Sequence, residues 1–251
     1  MQMPAKSAAD FAVANPGFYR ILVINGKGCA GKTTISTNLA AWLAYRDEET
    51  ALVDLDPQQS SHFWVQQRSA KLPPVYGFKA DNYRYAESNV QSQLRKSTQW
   101  LISDAPVGVS GEALDELVQQ HDLIIIPVMP SDLDIRSTAG FISELLLTPS
   151  MRQQRRPIAV IANRIKQQAD AWERLQKFLI RLNIAYPATL RDTQNYVRAY
   201  REGQGVVDYQ QQGYLRDRAD WEALVQWIDA QYNISLHPNS EAQPVTQLDP
   251  A

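Results

Sequence analysis

Gly26-Lys27-Gly28-Cys29-Ala30-Gly31-Lys32-Thr33-Thr34 lies between the apolar run Ile21-Leu22-Val23-Ile24 and a segment of helical periodicity that begins near Gly31. The stretch fits G-x-x-x-x-G-K-[ST], a loop whose backbone N–H groups cradle phosphates while its lysine reaches the outer phosphates and its hydroxyl is available to Mg2+. Lys32 and Thr33 hold those two places. The strand before and the helix after are the context the pattern requires, and the helix adds its positive N-terminal end. The competing reading is an ordinary glycine-rich turn between a strand and a helix.

Inside the loop stands a second lysine, Lys27. With Lys32 already occupying the lysine's place on its own nucleotide, the Lys27 ammonium is available to a neighbour's phosphates. With Lys27, Gly28, Gly31, Lys32, Thr33 and Thr34 the loop resembles the deviant Walker A of the ParA/MinD family of dimerising ATPases, usually K-G-G-x-G-K-T-T. The resemblance implies a P-loop NTPase in which Gly26 to Thr34 bind ATP and Lys27 crosses a sandwich dimer to the partner's nucleotide. Cys29 departs from the family, standing where a glycine is usual. Its Cβ strains a left-handed backbone and not a right-handed one.

Working outward, the short strand Ala51-Leu52-Val53 ends in Asp54-Leu55-Asp56-Pro57-Gln58. Two carboxylates at the carboxyl end of a strand next to the phosphate loop lie where ligands collect in open α/β sheets. A turn with an Asx cap, before a helix starting near Pro57, is the structural alternative. The order D-x-D-P-Q resembles the first switch of ParA proteins, which implies that Asp56 orients or activates the attacking water and Asp54 supports the metal's water shell. Trp100-Leu101-Ile102-Ser103-Asp104 is an apolar strand ending in aspartate, the Walker B form, whose carboxylate holds Mg2+ directly or through water. Asp104 to Gly108 resembles the family's second switch, with Ala105 in place of a threonine and one hydrogen bond fewer.

Further apolar runs, Leu123–Val128 and Pro157–Ala162, read as buried strands, the second ending at Asn163-Arg164. By resemblance Asn163 meets the adenine ring and Arg164 adds a stacking contact. Periodicity predicts helices over Lys32–Tyr45, around Phe63–Val65, over Tyr85–Leu94, over Leu133–Leu147 with Ser131 or Asp132 as N-cap, over Ala169–Leu182, and around Trp221–Ile228. Shorter strands are expected at Val75–Phe78 and Ile184–Tyr186. Alternating strands and helices give an α/β fold, a doubly wound and mostly parallel sheet with the nucleotide at its carboxyl edge.

The chain has 251 residues and is 44% hydrophobic, enough for one large domain. Residues 20–232 are assigned to it, between an N-terminal arm over 1–19, with a short helix around Ala8–Ala14, and a Pro-, Ser- and Gln-containing tail over 233–251 that reads as disordered. Cys29 is the only cysteine, so an intrachain disulfide is excluded. No run approaches the roughly 18 apolar residues of a membrane span and the start has no secretory signal, so a cytoplasmic location is expected.

A formal charge of −2 conceals an asymmetry: Arg152 to Arg218 hold 13 Lys/Arg against 6 Asp/Glu. A basic half on an acidic protein suggests a polyanion-facing surface, with a merely solvated face as the plain alternative. The family resemblance implies nonspecific binding of double-stranded DNA, with Arg191, Arg198, Arg201 and Arg218 as candidates. Phosphate contacts need basic charge and no base-reading motif.

The expectation is therefore a ParA-like ATPase that uses ATP and Mg2+, forms a homodimer in the ATP state and associates with the nucleoid. A ParB-like or cargo-adaptor protein would stimulate its slow hydrolysis, and the cargo would be a plasmid, a chromosome, carboxysomes or chemotaxis clusters. The resemblance leaves a MinD or cellulose-secretion type of regulatory ATPase as the alternative, without DNA binding. The basic amphipathic membrane helix that ends MinD-type proteins is not found here, so no membrane partner is expected. A P-loop enzyme transferring phosphate to a small molecule is a third reading, against which Lys27 argues.

Overall fold

The computed structural model describes residues 18–80, 90, 92–166 and 170–232. Seven strands, β1 (Tyr19–Val23), β2 (Thr50–Asp54), β3 (Val75–Lys79), β4 (Trp100–Asp104), β5 (Leu123–Val128), β6 (Ile158–Ile165) and β7 (Ala185–Arg191), form one sheet in the order β3-β2-β4-β1-β5-β6-β7. Every pairing is parallel, so the doubly wound sheet expected from the sequence is present.

The helices are α1 (Lys32–Tyr45), α2 (Ser60–Gln67), α3 (Gly111–Gln119), α4 (Asp132–Leu147), α5 (Pro149–Gln153), α6 (Asp170–Leu182), α7 (Gln194–Arg201) and α8 (Leu215–Gln231), with short 3-10 turns at Val206–Asp208 and Gln212–Tyr214. Alternation along β1 sends Ile21 and Val23 into one apolar layer, with Ile35, Leu39 and Leu43 of α1, Trp64 of α2, and Trp221, Leu224 and Ile228 of α8. Leu22 faces the other, with Leu114 and Leu117 of α3, Phe141, Ile142 and Leu145 of α4, and Leu175 and Leu179 of α6. Because successive strand residues point to opposite faces, a near-continuous apolar run such as β5, buried along its whole length, belongs at the centre of such a sheet. Each fully buried Leu or Ile contributes about 1.5–3 kcal/mol, which is why these runs dominate the choice of fold.

The predicted bounds of α1 are those observed, and Ser131 is the N-cap of α4, its hydroxyl accepting from Asp134 N. Three elements differ. The helix expected near Pro57 begins at Ser60, because Asp54 and Asp56 take the backbone N–H groups of Asp56 and Gln58 into turns and Gln59 then adopts φ 52°. β6 runs on to Ile165, and β7 extends from Ala185 to Arg191 because it pairs along β6, so Arg191 closes a strand instead of lying in a connecting segment. Helices α3, α5 and α7 were not anticipated. The helix expected around Ala8–Ala14 and the tail from Asn233 lie outside the described residues, as does most of the helix expected over Tyr85–Leu94. No described helix is long and apolar enough to cross a membrane.

Candidate nucleotide site

From β1 the chain passes to α1 on one face of the sheet, and from the adjacent β4 to α3 on the other. The loops part between these two strands, which is the crevice where open α/β sheets bind ligands. The Gly26–Thr34 loop and Asp104 flank that crevice from its two sides.

Buried side chains clamp the loop. Asn25 donates to Pro127 O (2.7 Å) and to Thr138 Oγ1 (3.2 Å), and its Oδ1 accepts from Lys27 N (3.0 Å). Asn163 Nδ2 donates to Ala30 O (2.9 Å), while its Oδ1 accepts from Arg164 N. Gly31 has φ 98°, and a Cβ there would lie 2.0 Å from Asn163 Nδ2, so only glycine permits this approach. Gly108 N donates to Gly26 O (3.2 Å), joining the loop to the segment after β4. Cys29 has φ 62°, the left-handed conformation in which a Cβ is strained, and its side chain is exposed.

Lys32 is buried, and loss of solvent lowers its pKa against the opposing pull of Asp104 and Asp56. Thr33 Oγ1 donates to Asp104 Oδ2 (2.8 Å). Burial pushes the Asp104 carboxyl up to about 7, with the Asp54 charge adding to the rise and Thr33 and Lys32 opposing it. The other oxygen, Asp104 Oδ1, is buried with no hydrogen-bond partner. An unsatisfied buried carboxylate oxygen beside a hydroxyl fits a hard divalent cation, which among proteins that bind nucleotides is held by one or two carboxylates and the phosphates and not by a protein cage. Among the described residues no group of three or more His, Cys, Asp or Glu forms such a cage.

Asp54 is differently employed. Its Oδ1 accepts from Asp56 N (3.0 Å) and its Oδ2 from His62 N (2.8 Å), so it organises the loop that presents Asp56. Asp56 is partly exposed, with Oδ1 accepting from Gln58 N (2.9 Å). Lys27 is engaged within its own subunit: its ammonium is ion-paired with Asp134 of α4, whose carboxylate is also bonded by the Ser131 hydroxyl.

The four arginines do not form one set. Arg191 Nη2 donates to Asp217 Oδ1 (2.6 Å), so this partly exposed guanidinium is engaged with a fully buried acid. Arg198 and Arg201 lie exposed on α7, Arg198 paired with Glu202 (3.0 Å). Arg218 donates to Gln210 Oε1 (3.1 Å) and lies over the Tyr45 ring. Asn25 and Asp134 were missed from sequence. Asp134 had a legible signal, an acid three residues after an N-cap serine, while Asn25 had none.

Residues 21–206 match the model of the CobQ/CobB/MinD/ParA nucleotide binding domain. The chain is 29% identical over 213 residues to maintenance of carboxysome distribution protein A of Gloeobacter kilaueensis, covering 83% of this chain and 93% of that protein. Its counterpart from Halothiobacillus neapolitanus is 29% identical over 210 residues, covering 80% and 92%. Among solved structures, an ATP complex of Cyanothece McdA matches with a TM-score of 0.67 at 14% identity, covering 89% of this chain and 99% of that one. The septum site-determining protein MinD of Pyrococcus horikoshii with Mg-ADP matches at 0.61 and 16%, covering 84% and 96%. At these identities the structural matches show a shared fold.

Proposed function

Because the chain belongs to the CobQ/CobB/MinD/ParA nucleotide-binding family, we propose that it is an ATPase that dimerises on ATP through Lys27, binds duplex DNA without sequence preference and positions a cargo on it. The observation that carries this reading is the state of Lys27, on the phosphate loop but ion-paired with Asp134 and partly exposed, while Lys32 is buried. An ammonium so placed can meet the phosphates of a second subunit.

In the proposed reaction water attacks the terminal phosphorus of ATP in line, the bond to the bridging oxygen breaks, and ADP and inorganic phosphate leave. Lys32 and the loop N–H groups hold the phosphates, Asp56 orients the water, and the partner's Lys27 neutralises charge as it develops. Thr33 and Asp104, with Asp54 behind them, would hold Mg2+, which when bound would supply further charge neutralisation. Positioning and electrostatics carry most of such catalysis. Asn163, whose amide is committed to the loop, fixes Ala30 and Gly31, leaving the exposed Arg164 as the stronger candidate for the base. Dimerisation doubles a basic surface built from Arg198, Arg201 and Arg218, and hydrolysis, stimulated by a ParB-like or adaptor protein, releases it from the nucleoid.

The relatives named for carboxysome distribution make a protein-shelled cargo of that kind the favoured one. One observation favours a regulatory ATPase without DNA contact: Arg198 is neutralised by Glu202 and Arg191 by Asp217. A duplex gel shift with ATP, with ADP and without nucleotide separates the two. DNA retention only with ATP, lost in Lys27→Ala, upholds the positioning ATPase. Retention that ignores nucleotide, or an ATP-loaded protein that sediments as a single subunit, overturns it.

A further inference from the structure

Two buried oxygens near the carboxyl ends of β2 and β4 have no hydrogen-bond partner, Asp104 Oδ1 and Ser61 Oγ. Ser61 is the second residue of α2 and is fully buried. Its neighbours are pinned on both sides: Ser60 O accepts from the Tyr200 hydroxyl (2.9 Å), and His62 N donates to Asp54 Oδ2 (2.8 Å). Asp54 and Asp104 are themselves register partners across β2 and β4. The Ser61 hydroxyl thus approaches the Asp104 carboxylate closely enough for a hydrogen-bonding interaction that lowers the Asp104 pKa, yet Ser61 Oγ and Asp104 Oδ1 are each left without a well-formed bond. Two unsatisfied polar groups side by side in a core are rare, and a polar occupant between them satisfies both.

We propose that Ser61 is a positioning residue of the divalent-cation site, its hydroxyl serving the cation's surroundings together with Thr33 and Asp104, so that cation binding fixes the start of α2. The inference rests on the nucleotide reading above. It has a consequence for the basic helix, because α2 is bolted to the segment that follows α7. Trp64 Nε1 donates to Gln204 O (3.0 Å), Arg68 Nη1 donates to Gly203 O (3.2 Å), and Arg68 and Asp208 form a buried ion pair. Gly203, at φ 64°, packs so closely on α2 that a Cβ would lie 2.4 Å from the Gln67 carbonyl carbon. Tyr200 sits between Arg198 and Arg201 on α7, bonds Ser60 of α2, and its hydroxyl feels the negative charge of Asp54 and Asp104. Occupancy of the cation site is thereby read by the helix that carries the exposed arginines.

The test uses Mn2+ and ADP as probes on the full chain, comparing wild type with Ser61→Ala and Ser61→Cys. Loss of one hydrogen-bonding group predicts Mn2+ affinity about 2–10-fold weaker in the presence of ADP, a changed Mn2+ electron paramagnetic resonance line shape, and ADP affinity in EDTA equal to wild type. In wild type, amide exchange over residues 60–64 and 194–204 slows with Mn2+ and ADP relative to ADP in EDTA. Wild-type Mn2+ affinity and line shape in a folded variant, or exchange in wild type indifferent to Mn2+, overturns the role of Ser61. If ADP affinity is the same with Mn2+ as in EDTA, and the same in Lys32→Ala as in wild type, the nucleotide reading fails and the inference falls with it.

Discussion

The Lys27 ammonium is bonded to the Asp134 carboxylate within the same subunit, and Asp134 is anchored in turn by Ser131 at the start of α4. In the proposed dimer this lysine reaches the neighbour's phosphates, so dimerisation would have to break this pair. A partly exposed ion pair of this kind is worth about 1 kcal/mol. Asp134→Asn is expected to tighten the dimer formed with a non-hydrolysable ATP analogue by about fivefold in sedimentation equilibrium, the factor that about 1 kcal/mol represents. Lys27→Ala is expected to abolish that dimer. A weaker dimer in Asp134→Asn would place Asp134 on the trans contact and refute a holding role.

Cys29 occupies a backbone conformation, φ 62°, that costs an L-residue about 1–2 kcal/mol. Cys29→Gly removes that strain and returns about 0.4–1 kcal/mol to the unfolded chain as entropy. The net gain is about 0–1.6 kcal/mol, and each 1 kcal/mol raises Tm by about 2–4 °C for a chain of this size. Cys29→Ala keeps the Cβ and the strain and should melt with wild type. Differential scanning calorimetry of the three proteins decides the matter, and equal Tm values for glycine and alanine would show that the strain is not stored.

Lys32, Thr33 and Asp104 were legible because a phosphate loop fixes their spacing and an apolar strand announces the third. β1, β4 and β5 were legible for the same reason, each being a run of apolar residues too short for a helix. What stayed hidden lies in contacts between residues far apart in the chain. Asp134 meets Lys27, Ser61 faces Asp104, and Asn25 ties the loop to Pro127 and Thr138. No local periodicity encodes such pairs. Charge counting cannot show that an arginine such as Arg191 is paired with a buried acid, here Asp217. β7 was drawn too short because its length is set by pairing with β6 and not by its own mixed composition, Ala185 to Arg191.

His121 gives the fold an acid limit. It is buried between α3 and β4, with Nδ1 2.7 Å from Leu117 O and Nε2 2.7 Å from Ser103 Oγ, and loss of solvent pushes its pKa down to about 4. The unfolded chain, with a histidine near 6.5, binds the proton that the folded state refuses, so stability is full above about pH 6.5 and falls as pH drops toward 4. The loss is of the order of a few kcal/mol. Urea unfolding at pH 7 and pH 4.5 should show His121→Gln less stable than wild type at pH 7 but with a shallower decline between the two. Parallel declines would assign the acid sensitivity elsewhere.

Arg191 and Arg201 allow stability and the proposed DNA binding to be tested separately. Removing Arg191 leaves the Asp217 carboxylate buried with Asn195 Nδ2 (2.6 Å) as its remaining side-chain partner. Breaking a buried pair by deleting one member costs about 3–5 kcal/mol, and the surviving amide bond places Arg191→Ala near the lower end. Arg201 is exposed on α7, so Arg201→Ala should hold stability within about 0.5 kcal/mol while lowering the affinity of the ATP-loaded protein for any duplex and reducing its salt slope by about 1 for each lost phosphate contact. Glu202 is the third arm of the comparison, since its carboxylate is paired with Arg198 and would compete with phosphate in the proposed interface. Glu202→Gln should therefore bind duplex more tightly than wild type, and most clearly at low salt, where exposed charges are least screened. Urea denaturation and fluorescence anisotropy on the same three variants measure the two properties independently. Unchanged DNA affinity in both Arg201→Ala and Glu202→Gln would remove α7 from the interface and favour a regulatory ATPase that does not touch DNA.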